Sequence, residues 1–202
     1  MFMALSLPAF WWGYLVWGAL QGRATLGPDP AKTLALESGE WAIRTMVIAL
    51  AVTPLRYLLN LPWLWQARRM LGLFAFFYAA LHLVVFVFLY LGLDWEALGR
   101  EITERPYITV GFAALLLLLL LAMTSFDKAR RAMGRNWKRL HRTIYVAAIL
   151  AVLHLAWIVR SDFGEALLYG SLVFLLLGYR LLHKLVPPVR RFYWSRGVPK
   201  KS

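Results

Sequence analysis

The sequence predicts an all-α membrane protein, six transmembrane helices in a bundle with both termini in the cytoplasm. Three observations predict it. Hydrophobic residues make up 61% of the 202 residues and charged residues 16%, whereas soluble domains run near half apolar and about a quarter charged. Six apolar segments approach or reach the roughly 17–25 residues that a membrane-crossing helix requires. The connectors separate by charge: 17 of the 23 Lys and Arg lie on one side of the alternating topology, with only six on the other beside nine of the ten acids. The positive-inside rule then places the basic side, and with it both termini, in the cytoplasm. The size fits one unit, residues 1–202. The net charge of +13 follows from topology and from contact with anionic lipid headgroups, and calls for no nucleic-acid partner. The chain has no cysteine. That excludes disulfides, thiolate zinc sites, Cys-held iron–sulfur clusters and covalent C-x-x-C-H haem attachment.

In chain order the spans are about 4–20, 41–59, 70–93, 107–126, 141–159 and 163–185. The first lacks the basic front end and cleavage site of a signal peptide, so it reads as a retained helix. Gln21–Glu40, with Gly27, Pro28 and Pro30, reads as an outer loop. Pro54 in the second span removes a backbone donor, which should kink the helix and leave a carbonyl without its partner. The fourth contains Leu115–Leu121, an unbroken leucine run with no amphipathic period. Asp94–Pro106 reads as an outer loop with a short interfacial helix, because Trp95 and Leu98 share one face. Trp63, Trp65, Trp137, Tyr193 and Trp194 suit interfacial aromatic belts. No internal repeat and no second soluble domain is evident.

Ionisable groups inside a span are costly, so each is a candidate for function. His82 and His154 sit in the third and fifth spans, which run in the same direction, about 12 and 13 residues from the cytoplasmic ends. At 1.5 Å rise per residue both are about 18–20 Å deep. Two imidazoles at one depth can grip one metal between them. With no Cys and few intramembrane acids, haem b with two axial histidines is the best candidate. The plain alternative for each is a histidine hydrogen-bonded to a neighbouring helix.

His141 lies 13 residues before His154, at the cytoplasmic mouth. Thirteen steps of about 100° place the two far from one helix face. The equivalent position before His82 is Arg69, so a second bis-histidine haem lacks its partner. For His141 a second haem with another ligand, a flavin or quinone contact, a propionate contact and a simple interfacial role all stay open. His183 beside Lys184 reads as interfacial. Arg44, Arg56, Arg68 and Arg69 near helix ends suit carboxylate or phosphate groups, such as haem propionates or a flavin phosphate, or snorkelling to headgroups. No G-x-S-x-G, Walker loop or dinucleotide fingerprint is present.

Several stretches together resemble one family along nearly the whole chain: Val52-Thr-Pro-Leu-Arg56, Arg68-Arg-Met-Leu-Gly72 leading to Tyr78-Ala-Ala-Leu-His82, Arg105-Pro-Tyr-Ile-Thr-Val-Gly111, and Trp137-Lys-Arg-Leu-His141-Arg142 followed by Tyr145 and His154. The chain resembles the MsrQ (YedZ) family of ferric-reductase-like transmembrane domains. The resemblance implies an inner-membrane electron-transfer subunit, rather than a catalytic one, serving a periplasmic molybdopterin methionine-sulfoxide reductase, MsrP, that repairs oxidised envelope proteins. It implies electrons from the quinone pool or a cytosolic flavin reductase, with haem b, one or two, and FMN as cofactors. It marks His82 and His154 as axial ligands of the outer haem and His141 as the inner-side histidine. Arg69 stands where related oxidases carry a fourth histidine, which leaves room for flavin beside Arg68 and Arg69. Two alternatives are a stand-alone ferric or quinone reductase, and a non-redox transporter whose histidines relay protons.

Overall fold

A computed structural model describes all residues except 24, 62, 159–162 and 186–202, with residue 65 described in its backbone alone. The Trp65 side chain, Arg160, Tyr193, Trp194 and the basic residues of the tail therefore lie outside the described residues. Among those described, all regular structure is helical: α1 Phe2–Leu20, α2 Pro30–Leu59, α3 Leu64–Val85, α4 Trp95–Glu104, α5 Pro106–Met123, α6 Asp127–Met133, α7 Arg135–Leu140, α8 Ile144–Ile158 and α9 Gly164–Leu185. Six stretches are long and apolar enough to cross a membrane: 2–20, 30–59, 66–90, 106–123, 135–158 and 164–185.

The largest correction is at α2, which begins at Pro30 and not near 41. Residues 30–40 are helix, not loop. The Asp29 carboxylate accepts from the Lys32 N–H at 3.0 Å, and Pro30 sits at the first helical position, where its missing N–H costs nothing. The acids of this stretch find partners: Glu37 accepts from Trp12 Nε1 of α1, and Glu40 pairs with Arg44 one turn on. The helix continues through Pro54. Its orphaned acceptor, the Leu50 carbonyl, receives Arg180 Nη2 from α9 at 2.7 Å.

Smaller shifts have local causes. The third span ends at Tyr90 after a π-helical turn over Phe86–Tyr90, and Gly92 and Leu93, at φ of 60° and 65°, reverse the chain. The fourth ends at Met123. There the Thr124 and Ser125 hydroxyls bond back to the Leu120 and Leu121 carbonyls and compete with continued helix. The basic 127–140 connector folds into α6 and α7, broken at Gly134 with φ of 52°. A tight 3₁₀ turn at His141–Thr143 leads into α8, so the fifth span is not one straight helix from 141. α4 forms as expected, capped by Asp94.

Packing follows the rules of lipid, where tails are as apolar as leucine and close approach of small residues supplies the attraction. Ala75 of α3 and Ala147 of α8 are both 0% exposed, within a core of Ile43, Met46, Leu50, Leu118, Ala148, Tyr169 and Val173 that joins α2, α3, α5, α8 and α9. α1 lies outside this core. It docks through Trp12 against Tyr78, itself 0% exposed, whose hydroxyl donates to the Leu5 carbonyl.

The structure overturns the reading of no internal repeat. α2 packs most intimately with α3, and α5 with α8. The two hairpins correspond at an offset of 72 residues, pairing Gly39 with Gly111, Ala75 with Ala147, Ala79 with Ala151 and His82 with His154. Few other residues match between the two hairpins, and lipid-facing positions accept any apolar side chain.

Candidate cofactor site

α3 and α8 bring His82 and His154 together, the two rings nearly perpendicular. Their ring centres lie 6.2 Å apart, with planes at 81°. With metal–imidazole bonds of about 2.0–2.1 Å and a ring centre about 1.1 Å behind each nitrogen, two imidazoles sharing one metal have centres about 6.3 Å apart. The spacing fits one ion between them.

Each ring is also oriented. His82 Nδ1 lies 2.8 Å from the Ala35 carbonyl of α2, and His154 Nδ1 lies 2.6 Å from the Tyr107 carbonyl of α5. A carbonyl only accepts, so both Nδ1 atoms carry the proton and both Nε2 atoms carry the lone pair. This is the usual support of a metal-ligating histidine. The two acceptors again differ by 72 residues. Among the described residues no three His, Asp or Glu side chains converge as a metal site. A bare ion needs about four ligands, whereas a tetrapyrrole brings its own equatorial donors and asks the protein for one or two axial ones. The donor set therefore fits haem.

His141 is at the opposite end of the bundle and does not meet this pair. Its ring stacks on Trp137, centres 4.0 Å apart, and its Nε2 is 3.1 Å from Thr124 Oγ1. That hydroxyl already donates to the Leu120 carbonyl, so it accepts from Nε2–H, leaving the lone pair on Nδ1. Arg68 is near enough for its charge to act on both His141 and Arg180. Arg69 instead forms a long pair with Asp127, 3.9 Å, with its side chain half exposed. His183 packs between the rings of Tyr57 and Tyr179.

Arg44 is engaged within the protein. It pairs with Glu40, its Nε donates to Tyr169 Oη at 3.1 Å, and its guanidinium lies over Trp41. Sequence reasoning missed Tyr169 and Arg180. In the sequence Arg180 reads only as one of the 17 basic residues of the cytoplasmic side. Its place inside the last apolar span, a turn before His183, was the available signal.

Comparison with known proteins identifies the family. Residues 38–152 match the family described as ferric reductase like transmembrane component. A "Protein-methionine-sulfoxide reductase heme-binding subunit MsrQ" from Xanthomonas euvesicatoria pv. vesicatoria is 47% identical over 93% of this chain and 85% of its own length. The chain belongs to the MsrQ family. MsrQ proteins from Xanthomonas oryzae pv. oryzae and Polaromonas naphthalenivorans are 45% and 42% identical, each over 86% of its own length and over 95% and 94% of this chain. No solved structure matches the chain. The family match begins at Ser38, within α2, and ends at Val152, within α8, so it covers most of both hairpins with Gly39, His82 and Gly111 and stops two residues short of His154.

Proposed function

We propose that this MsrQ-family chain is the haem-binding electron-transfer subunit of a methionine-sulfoxide reductase system. It would carry electrons outward across the bacterial inner membrane to MsrP, with both termini cytoplasmic and residues 1–202 acting as one unit. The observation that carries the reading is the pair His82 and His154, held at one-metal spacing with both Nδ1 protons tied to backbone carbonyls. Haem b, when bound, supplies a one-electron couple. The chain's own residues do the rest: the imidazoles fix the iron, their carbonyl partners raise ligand basicity, and the apolar bundle excludes water. Quinone or a cytosolic flavin reductase is the proposed donor. His141, Arg68 and Arg69 form the proposed inner-side entry, where FMN or a second haem would sit. A cationic patch of this kind suits the phosphate of FMN or a propionate.

The test is the oxidised and dithionite-reduced absorption spectrum of the detergent-purified protein, with haem and flavin counted per chain. A b-type spectrum is expected, and His82→Ala and His154→Ala should each abolish the same low-spin signal. Absence of haem after reconstitution, or a full unchanged spectrum in either variant, sinks the proposal. Direct reduction of ferric iron or quinone by the isolated chain, with no need of MsrP, would favour a stand-alone reductase.

A further inference from the structure

We infer that Gly39 and Gly111 are paired positioning residues that set the orientation of the two axial imidazoles, and that the His154 half is the more tightly constrained. The inference rests on the His82–His154 haem reading. It comes from the same geometry occurring twice.

In an α-helix the carbonyl of residue i−4 faces the N–H of residue i. The Ala35 carbonyl thus lies beside Gly39, and the Tyr107 carbonyl beside Gly111. Each carbonyl has a second lone pair, and each receives a histidine Nδ1–H there. A side chain at residue i would stand where that imidazole lies. A Cβ built on Gly39 comes 3.1 Å from His82 Nδ1 and 3.3 Å from Cε1. One built on Gly111 comes 2.6 Å from His154 Nδ1, 2.7 Å from Cε1 and 3.0 Å from Cγ. The first requires the ring to give by a few tenths of an ångström. The second is a clash with the ring itself, which is held by its own short bond and cannot retreat without leaving the Tyr107 carbonyl.

Neither glycine has positive φ, so no turn explains them, and glycine disfavours a helix interior. Gly72 and Gly178 also lie in helices, on α3 and α9, yet a Cβ on either meets nothing within 4 Å. The imidazole contact therefore separates Gly39 and Gly111 from these two glycines. Together the glycine, the carbonyl four residues before it and the histidine 43 residues after it form one device, used once in each hairpin.

The experiment compares Gly39→Ala, Gly111→Ala, Gly72→Ala and Gly178→Ala, each purified in detergent. Its readouts are hemin affinity of the stripped protein, the low-spin electron paramagnetic resonance signal and the haem midpoint potential. Gly111→Ala should weaken haem binding by about 10–100-fold, the range for lost support of a metal-bound histidine, and lose the bis-imidazole signal. Gly39→Ala should keep haem with a shifted potential and altered low-spin signal. The two controls should match wild type. In a His154→Gly background without added imidazole, Gly111→Ala should have no further effect on the haem affinity that remains, because there is no ring at that position to displace. Wild-type affinity and signal in Gly111→Ala, equal losses in the controls, or a persistent defect in the His154→Gly background each overturn the inference. A wild-type chain that binds no haem defeats the underlying haem reading instead, so the two failures are told apart.

Discussion

Arg180 and Pro54 should be energetically coupled, and the coupling is calculable. Pro54 offers no N–H to the Leu50 carbonyl, and Arg180 Nη2 supplies the missing donor at 2.7 Å while also reaching Thr53 Oγ1 at 3.1 Å. Two opposing terms make Arg180→Met alone uninformative. It removes charge-assisted bonds worth about 1.5–3 kcal/mol, but also removes buried Nε and Nη1 donors that have no hydrogen-bond partner among the described residues, each a penalty of about 1–3 kcal/mol. The double-mutant cycle cancels the second term. In Pro54→Ala the new N–H satisfies the Leu50 carbonyl within the helix, so Arg180→Met no longer strands a buried acceptor. The cost of Arg180→Met should then fall by about 1–2 kcal/mol relative to its cost with proline present. Equilibrium unfolding of the four proteins in mixed SDS and detergent micelles measures this. Additivity within about 0.5 kcal/mol would refute the argument that Arg180 substitutes for the donor proline lacks.

Two further outcomes follow from other parts of the bundle. Because the chain has no cysteine, single cysteines report topology cleanly: Gly99→Cys should react with a membrane-impermeant maleimide added outside intact spheroplasts, and Lys128→Cys only after lysis, the reverse pattern defeating the proposed orientation. At the Glu40–Arg44–Tyr169 cluster, Tyr169→Phe removes a hydroxyl that accepts from Arg44 and donates to Glu40 and should cost about 1 kcal/mol. Glu40→Gln strips the charge partner of an intramembrane arginine and should cost more, about 1–3 kcal/mol by the same unfolding assay; a smaller loss for Glu40→Gln than for Tyr169→Phe contradicts the pairing.

The spans were legible because composition and length alone report membrane crossing. Their ends were less so, for specific reasons. Gly27, Pro28 and Pro30 read as a loop, whereas Pro30 in fact opens the helix behind the Asp29 cap, and Trp12 and Arg44 supply partners for Glu37 and Glu40 on it. The shared depth of His82 and His154 could be counted along the helices. Their adjacency could not, since six helices of known length pack in many arrangements. The repeat escaped because a handful of matched glycines, alanines and histidines is invisible among interchangeable apolar residues.

The amino-acid sequence by itself determined the class of the protein, the number of its membrane crossings and which titratable groups were inside. Those depend on transfer free energy, which is a sum over residues and needs no contacts. Only the tertiary structure decided that the two deep histidines come together, that their protons sit on Nδ1, that His141 spends its Nε2 on Thr124, and that Gly39 and Gly111 leave room for the rings. Those depend on which helices become neighbours, and in lipid that is governed by close approach of small residues and by satisfaction of polar groups across helices, both properties of residue pairs far apart in the chain.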